Sequence, residues 1–268
     1  MARRKKIGLA LSGGGIKGVA HIGVFKALEE LGIKPDIVSG VSAGAIIGVL
    51  YAAGMHWQEI KDFVDQTKFG KAFFPGFSAK GLLKHDYLKA RLKQSLPCHE
   101  FEKLETPLRI ACTNLNSGAI DVFDKGQLIP AVSASSSIPV LYSPELINDQ
   151  LYSDGGILMN LPATIIRDHC DILIGINLIP KVELDMKQFS GMLSSLSIAA
   201  RTFYLNIQNN SEPDLKVCDI IIEPDHIFDH HIFSFNKTEE IFKSGYDKTM
   251  EMKDSILEQL DMGLSNKI

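Results

Sequence analysis

"DIVSGVSAGAIIG" at residues 36–48 places a serine between two glycines, where an apolar run gives way to a helical pattern. Ile37 and Val38 are typical of a buried strand, and the residues after Gly44 predict a helix that is apolar on most sides and therefore central. A connection rich in glycine and serine is compatible with an ordinary turn. It is equally compatible with a G-x-S-x-G nucleophile elbow, which exposes a serine hydroxyl at a helix N-terminus.

The same strand–turn–helix pattern precedes this stretch, in "KIGLALSGGGIKGVAHIG" at residues 6–23. Further apolar segments predict strands at 108–115, 171–178 and 219–224, and helical patterns lie at 57–66, 85–95, 162–169, 190–209 and 237–260. Apolar strands that alternate with helices predict an α/β fold with a doubly wound, mostly parallel sheet flanked by helices. Because the chain contains no repeat or obvious linker, we expect residues 1–268 to form a single domain.

The charge, the apolar runs and the cysteine spacing indicate which partners and which cellular location to expect. The 268 residues carry a formal charge of −4 and give a pI near 6.1, which argues against nucleic acid as a partner. No apolar run is long enough for a signal peptide or a membrane span, so a cytoplasmic protein is expected. The basic cluster at residues 2–6 is either a solvated terminus or a peripheral contact with anionic lipid. The four cysteines are far apart and predict free thiols, with no metal site.

The first glycine turn contains G-x-G-x-x-G as Gly13, Gly15 and Gly18, a pattern found in dinucleotide-binding turns. That interpretation requires an acidic residue at the end of the second strand, whereas Asp36 precedes the strand. Glycine amides at a helix N-terminus also bind anions. Since the turns after neighbouring parallel strands lie side by side, these amides would stabilise an oxyanion formed at Ser42.

A serine nucleophile needs a base, and "YSDGGILMNLP" at residues 152–162 offers Asp154 directly before two glycines. Alone, this segment is compatible with a common Asp-Gly turn. His21 is the nearest competing base, but it follows the first glycine turn inside a helix and is expected to point away from the serine. Three polar sites flanked by glycine in one chain favour a shared catalytic function.

In combination, "LALSGGGIKGVAHIGVFKAL", "GVSAGAIIG", "SASSSIPV" (133–140) and "DGGILMNLP" resemble the patatin-like phospholipase family over roughly residues 5–180. "CDIIIEPD" and "FSFNKTEEIFKSGY" extend the resemblance more weakly. The resemblance implies a three-layer α/β/α fold, with Ser42 as nucleophile and Asp154 as base of a Ser–Asp dyad. It also implies the following neighbours: an oxyanion hole of Gly13, Gly14, Gly15, Lys17 and Gly18, elbow glycines Gly40 and Gly44, base-turn glycines Gly155 and Gly156, and Asn160 and Pro162 behind Asp154.

The resemblance implies a serine acyl hydrolase that cleaves fatty-acyl esters of (lyso)phospholipids or related lipids without a metal or organic cofactor. An acyltransferase or thioesterase using the same serine is an alternative, although malonyl-transacylase relatives place histidine where this chain has Val41. A non-enzymatic lipid-binding regulator is the other alternative. Four phenylalanines within residues 69–83 predict either a loop packed on the body or an apolar cap beside the site.

Overall fold

The computed structural model describes residues 4–67, 85–139, 141–181, 195–227 and 236–260, and within these residues a mixed sheet of eight strands lies at the centre. The strands are β1 (Ile7–Leu11), β2 (Ile37–Gly40), β3 (Leu108–Asn114), β4 (Ala119–Phe123), β5 (Glu145–Ile147), β6 (Gln150–Asp154), β7 (Ile172–Ile176) and β8 (Ile220–Ile222). Their order is β5-β6-β3-β2-β1-β7-β8, with β4 also paired to β3. The β3–β2–β1–β7–β8 pairs are parallel, whereas β4, β5 and β6 pair antiparallel, which confirms the mostly parallel α/β fold.

Helices follow most of the strands. They are α1 (Val19–Glu30), α2 (Ala43–Ala52), α3 (Trp57–Gln66), α4 (Asp86–Ser95), α5 (Leu128–Ser135), α6 (Ser195–Asn210), α7 (Glu212–Leu215), α8 (Thr238–Glu251) and α9 (Lys253–Gln259). Short 3₁₀ helices occupy Gly15–Gly18, Phe101–Lys103, Gly155–Ile157 and Thr164–His169. Across the described part of the chain, every helix is too short or too polar to cross a bilayer.

Both faces of the sheet are covered, as the apolar strand sequences predict. Leu9 and Leu11 of β1 belong to the main core, in which α1 packs against α8, whereas Ala10 between them belongs to a second, smaller cluster. Successive side chains of a strand point to opposite faces, so these two clusters lie on opposite sides of the sheet. A parallel sheet buried in this way directs the carboxyl ends of β1 and β2 to one edge, where the site forms.

Asp36 serves the fold. Its carboxylate forms an ion pair with Arg4 and accepts a hydrogen bond from the Ile7 amide at 2.8 Å. The carboxylate therefore tethers the start of β1, at the end of the strand opposite to the glycine turn. Lys5 is held as well, because its Nζ donates to the Gln259 carbonyl oxygen at 3.0 Å. These contacts give two residues of the basic cluster a structural function.

The five strands and most of the helices predicted from hydrophobic patterns are present. The segment at 162–169 differs, since Thr164–His169 is a 3₁₀ helix whose first residue donates its amide and hydroxyl to Asp214. The pattern at 237–260 forms two helices, α8 and α9. Strands β4 to β6 and helix α5 were not predicted, because the strands are short, partly exposed and lack a continuous apolar run. The segment at 69–83, predicted to be either a loop packed on the body or an apolar cap, lies outside the described residues.

Candidate active site

Ser42 occupies a strained turn between β2 and α2. Its φ of 54° lies in a region that residues with a side chain rarely adopt. The turn is tight because a Cβ on Gly44 would lie 2.2 Å from the Leu11 carbonyl oxygen. Only glycine lets the first turn of α2 approach the end of β1 so closely. The serine is therefore held at the positive end of α2 by backbone packing.

A second serine fixes the elbow from outside it. Ser135, the last residue of α5, accepts a hydrogen bond from the Ser42 amide at 3.0 Å. The same hydroxyl donates to the Ala111 carbonyl oxygen of β3 at 2.8 Å. Ser135 is fully buried, so these bonds are shielded from water. It belongs to the "SASSSIPV" motif, in which sequence reasoning assigned no role to any single serine.

The glycine loop after β1 lies against the elbow. A Cβ on Gly13 would lie 3.2 Å from the Ser42 Cβ and 2.5 Å from the Asn160 Oδ1. The Gly13 amide donates to the Asn160 carbonyl oxygen at 3.0 Å, so this amide already has a partner. Within the described residues, the Gly14 and Gly15 amides donate to no protein acceptor. Neither amide therefore has a protein partner among these residues that would compete with a bound anion.

The remaining predicted residues surround this centre and are buried. Lys17 is 1% exposed, and its ammonium lies 5.9 Å from the centre of the Tyr204 ring. The other glycines pack closely against neighbouring elements. A Cβ added to Gly18 would lie 2.6 Å from the Ala43 Cβ, one added to Gly40 would lie 2.5 Å from the Gly44 carbonyl oxygen, and one added to Gly155 would lie 2.4 Å from the Ala111 carbonyl oxygen. The structure thus gathers the predicted positions at one edge of the sheet.

Asp154 ends β6 and reaches the same place from an antiparallel strand. Its carboxylate accepts a hydrogen bond from the Gly156 backbone amide at 2.8 Å, and it faces the Ser42 side chain. Burial raises the pKa of this carboxyl to about 6, and the Ser42 side chain and the Gly156 amide oppose the rise. An aspartate with this pKa is mostly ionised at pH 7 and can accept a proton.

An apolar pocket opens beside Ser42. Its cavity volume is about 70 Å³, and it is lined by aliphatic side chains of the glycine turn, α2, α3, α4 and the segment after α5, among them Ile16, Ile46, Ile47, Val64, Leu88 and Ile138. Because the lining is aliphatic next to a serine hydroxyl, the pocket suits a hydrocarbon chain attached to a reactive carbonyl.

Two buried histidines lie near this site. His21 donates from Nε2 to the Ser12 carbonyl oxygen at 2.9 Å, so it supports the start of the glycine loop. His85 lines the apolar pocket with Ser42 and stacks on Tyr142, with ring centres 4.0 Å apart. Burial lowers the pKa of each to about 4, and the positive charge of Lys89 contributes at His85. Sequence reasoning did not identify His85, since no motif surrounds it.

Metal binding has no visible basis in the described residues, which contain no cluster of three or more histidine, cysteine, aspartate or glutamate side chains placed to hold an ion. The cysteines Cys98, Cys112, Cys170 and Cys218 are free thiols. The histidine pair at 230 and 231 lies outside the described residues. The polar groups gathered at the site are the Ser42 hydroxyl, the Asp154 carboxyl and backbone amides.

Comparison with known proteins yields both sequence and structural relatives. The model of the family described as "Patatin-like phospholipase" matches residues 9–166. An uncharacterized NTE family protein of Mycobacterium tuberculosis is 33% identical over 179 residues, which cover 65% of this chain and 49% of that protein. Human patatin-like phospholipase domain-containing protein 6 is 31% identical over 208 residues, which cover 70% of this chain and 14% of that protein.

The chain thus spans about half the length of the mycobacterial relative and a much smaller part of the human one. Among solved structures, VipD from Legionella pneumophila superposes with a TM-score of 0.64 at 17% identity, covering 95% of this chain and 67% of VipD. At this identity the similarity concerns the fold, a mostly parallel sheet flanked by helices.

Proposed function

Because the chain belongs to the patatin-like phospholipase family, we propose that it is a serine acyl hydrolase that cleaves fatty-acyl esters of phospholipids, lysophospholipids or related lipids. In this proposal Ser42 is the nucleophile and Asp154 is its base. The observation that carries it is that these two buried side chains meet, closely enough for Ser42 to lower the pKa of Asp154, next to an apolar pocket.

Acylation begins when the Ser42 oxygen attacks the ester carbonyl carbon and Asp154 takes the hydroxyl proton. The negative charge that develops on the carbonyl oxygen is stabilised by the Gly14 and Gly15 amides and by the positive end of α2. When the tetrahedral intermediate collapses, the ester bond breaks and the alcohol leaves with the proton held by Asp154. The acyl group then remains esterified to Ser42.

Deacylation repeats these steps with water. Asp154 removes a proton from a water molecule, and the resulting hydroxide attacks the acyl-serine carbonyl. The second intermediate breaks the bond to Ser42, whose oxygen recovers the proton from Asp154, and the fatty acid is released. A pKa of about 6 suits both directions, since Asp154 must accept and return a proton near neutral pH.

The pocket supports a lipid substrate class. A chain seated among Ile46, Leu88 and Ile138 would leave water, and burial of each methylene contributes about 0.8 kcal/mol. The carbonyl would then meet Ser42 at the polar end of the pocket. Contact with a membrane surface that supplies this lipid belongs to the same proposal.

The test combines a substrate panel with two active-site variants. Mass spectrometry should detect free fatty acid from lysophospholipids, phospholipids or acylglycerols, and a fluorophosphonate probe should label Ser42. Ser42→Ala and Asp154→Asn should each lower kcat by about 10⁴-fold or more, and the double variant should be no worse, because the two residues act as a unit. Acyl transfer to an added alcohol or thiol, without hydrolysis, would favour the acyltransferase alternative.

The two histidines provide matched controls. His21→Asn and His85→Gln should retain substantial activity if Asp154 is the base. The acid limb of kcat/KM should have its midpoint near pH 6, the pKa of Asp154, and not near pH 4, the pKa of either histidine. A folded but inactive His85→Gln or His21→Asn, together with an active Asp154→Asn, would contradict the dyad.

A further inference from the structure

Helix α6 lies outside the segment that the family model matches, yet it contacts the turn after Asp154. Asn206 and Asn210 are four residues apart and so share one face of this helix. The Asn210 Nδ2 donates to the carbonyl oxygens of Gly156 and Ile157 at 2.9 and 3.1 Å. The Asn206 Nδ2 donates to the same Ile157 oxygen at 2.6 Å. Both side-chain amides thus bind the backbone of the base turn.

The other end of the Asn210 amide binds the opposite side of the same loop. Its Oδ1 accepts a hydrogen bond from the backbone N–H of Asn160 at 3.0 Å. The Asn160 carbonyl oxygen in turn accepts the bond from the Gly13 amide. Asn210 therefore uses three of its hydrogen-bonding positions on the segment between Gly156 and Asn160, and this segment supports the glycine loop.

Gly156 connects the Asn210 side chain to the Asp154 carboxylate. Its amide donates to the Asp154 Oδ1 at 2.8 Å, and its carbonyl oxygen is the one that Asn210 holds. A glycine has no side chain to restrict its backbone, so an external partner is needed to keep its amide aimed at one acceptor. The Asn210 bond supplies that restriction from across the turn.

We propose that Asn210 is a positioning residue for the base of the Ser–Asp dyad, because its amide holds the Gly155–Gly156 turn in the orientation that directs the Gly156 amide at the Asp154 carboxylate. This inference rests on the proposed function. It also assigns a catalytic requirement to α6, a helix beyond the family-matched segment.

Few groups influence the pKa of Asp154, so the loss of the Gly156 hydrogen bond should change that pKa measurably. Among the described residues, the groups that shift its pKa are the Ser42 side chain and the Gly156 amide, both of which lower it against the effect of burial. The nearby Cys112 thiol of β3 is neutral, since burial raises its pKa well above the ordinary value. Loss of the Gly156 bond therefore moves the pKa of Asp154 upward, and no neighbouring charged side chain offsets the change.

The experiment compares pH–rate profiles of Asn210 variants of the full chain. In Asn210→Ala, kcat should fall about tenfold and the acid limb of kcat/KM should move up by about half a pH unit, with little change in KM. Asn210→Leu keeps a side chain of similar size, adds no charge and loses both donors, so its acid limb should also move up. Asn206→Ala should shift the limb less, because its bond reaches only Ile157.

Asn209→Ala is the matched control, since this neighbour on the same helix is exposed. Its profile should equal that of the parent protein. If both Asn210 variants fold and keep the parental acid limb, or if neither folds, Asn210 serves stability alone and the inference is wrong. Failure of the proposed function is distinct, because it would appear as turnover by Asp154→Asn whatever the Asn210 variants do.

Discussion

The turn around Ser42 and the turn after Asp154 meet at one site but are held in different ways. The Ser42 turn is fixed by close backbone packing, with Gly44 against the Leu11 carbonyl oxygen and with the serine itself strained. The Asp154 turn is fixed by hydrogen bonds from side chains that lie about fifty residues later, on α6. Both turns need a glycine at a close backbone contact, Gly44 in one and Gly155 in the other, but the Asp154 turn is held in addition by side-chain donors from a distant helix.

This difference explains why the contacts that hold the Ser42 turn are easier to predict from the sequence than those that hold the Asp154 turn. Backbone packing at the elbow demands glycine at fixed spacing around the serine, and such a pattern can be read locally. Hydrogen bonds from α6 demand only asparagines that arrive from elsewhere in the fold. A short segment such as "SDGG" carries no signal for partners that distant.

The largest effect is expected from Gly44→Ala, which breaks the close packing of the elbow. The new Cβ would lie 2.2 Å from one backbone oxygen and 2.8 Å from another, and neither oxygen can move independently of β1. We expect a loss of about 4 kcal/mol or more in the free energy of unfolding, or failure to fold. Urea unfolding followed by circular dichroism measures this loss.

Gly48→Ala, in the same helix, is the control for that change. Its Cβ would meet only side chains, the nearest at 3.3 Å, and alanine favours a helix by about 1 kcal/mol over glycine. Its stability should stay within about 1 kcal/mol of the parent. Equal stabilities of the two variants would show that backbone packing does not hold the elbow.

A smaller effect, of opposite sign, is expected when Asp154→Asn removes the buried charge from the base turn. The folded-state pKa of about 6 lies above the ordinary value of 3.8. The carboxyl therefore favours the folded state while it is protonated, and this contribution is lost as the pH rises through 6. At pH 7 the ionised group costs up to about 3 kcal/mol, so the variant should be more stable than the parent.

Unfolding free energies of Asp154→Asn and the parent should be compared at pH 4 and at pH 7. The gain in stability should be present at pH 7 and should largely disappear at pH 4, where the parent carboxyl is mostly protonated. A gain that is equal at both pH values would mean that charge burial is not its cause.

The smallest effect is expected at the contact that joins the elbow to α5. Ser135→Ala leaves the buried Ser42 amide without its partner at 3.0 Å, and an unsatisfied buried donor costs about 1 to 3 kcal/mol. Turnover should fall as well, since the elbow loses a constraint. Thermal unfolding and ester hydrolysis measure the two losses.

Ser133→Ala tests whether that loss comes from the hydrogen bond. Ser133 is equally buried, but its hydroxyl has no hydrogen-bond partner among the described residues. Its removal should change the stability by less than about 0.5 kcal/mol. If Ser135→Ala and Ser133→Ala lose the same stability, the loss reflects packing. The hydrogen bond from the Ser42 amide to Ser135 would then not be its cause.

Much of the fold was accessible from the sequence because long apolar strands and helices carry their own periodic signal. β1, β2, β3, β7 and β8 all coincide with predicted apolar segments. The antiparallel strands β5 and β6 did not, since they are short and joined by a turn in which Asn148 and Asp149 have positive φ. Yet β6 is the strand that carries Asp154 to the site, so the sequence pattern predicted the residue but not the element that brings it to Ser42.

The sequence by itself determined the α/β class, the family and the glycine-framed positions of Ser42 and Asp154, because backbone geometry at tight turns selects residue types locally. Only the tertiary structure decided which groups surround them: Ser135 on the Ser42 amide, Asn210 on the base turn, and His85 beside the pocket. It also decided that the Gly13 backbone amide is bonded to the Asn160 carbonyl oxygen, whereas the Gly14 and Gly15 amides donate to no protein acceptor within the described residues. These contacts join residues far apart in the chain, and a hydrogen bond depends on distance and direction in space, which the order of residues does not record.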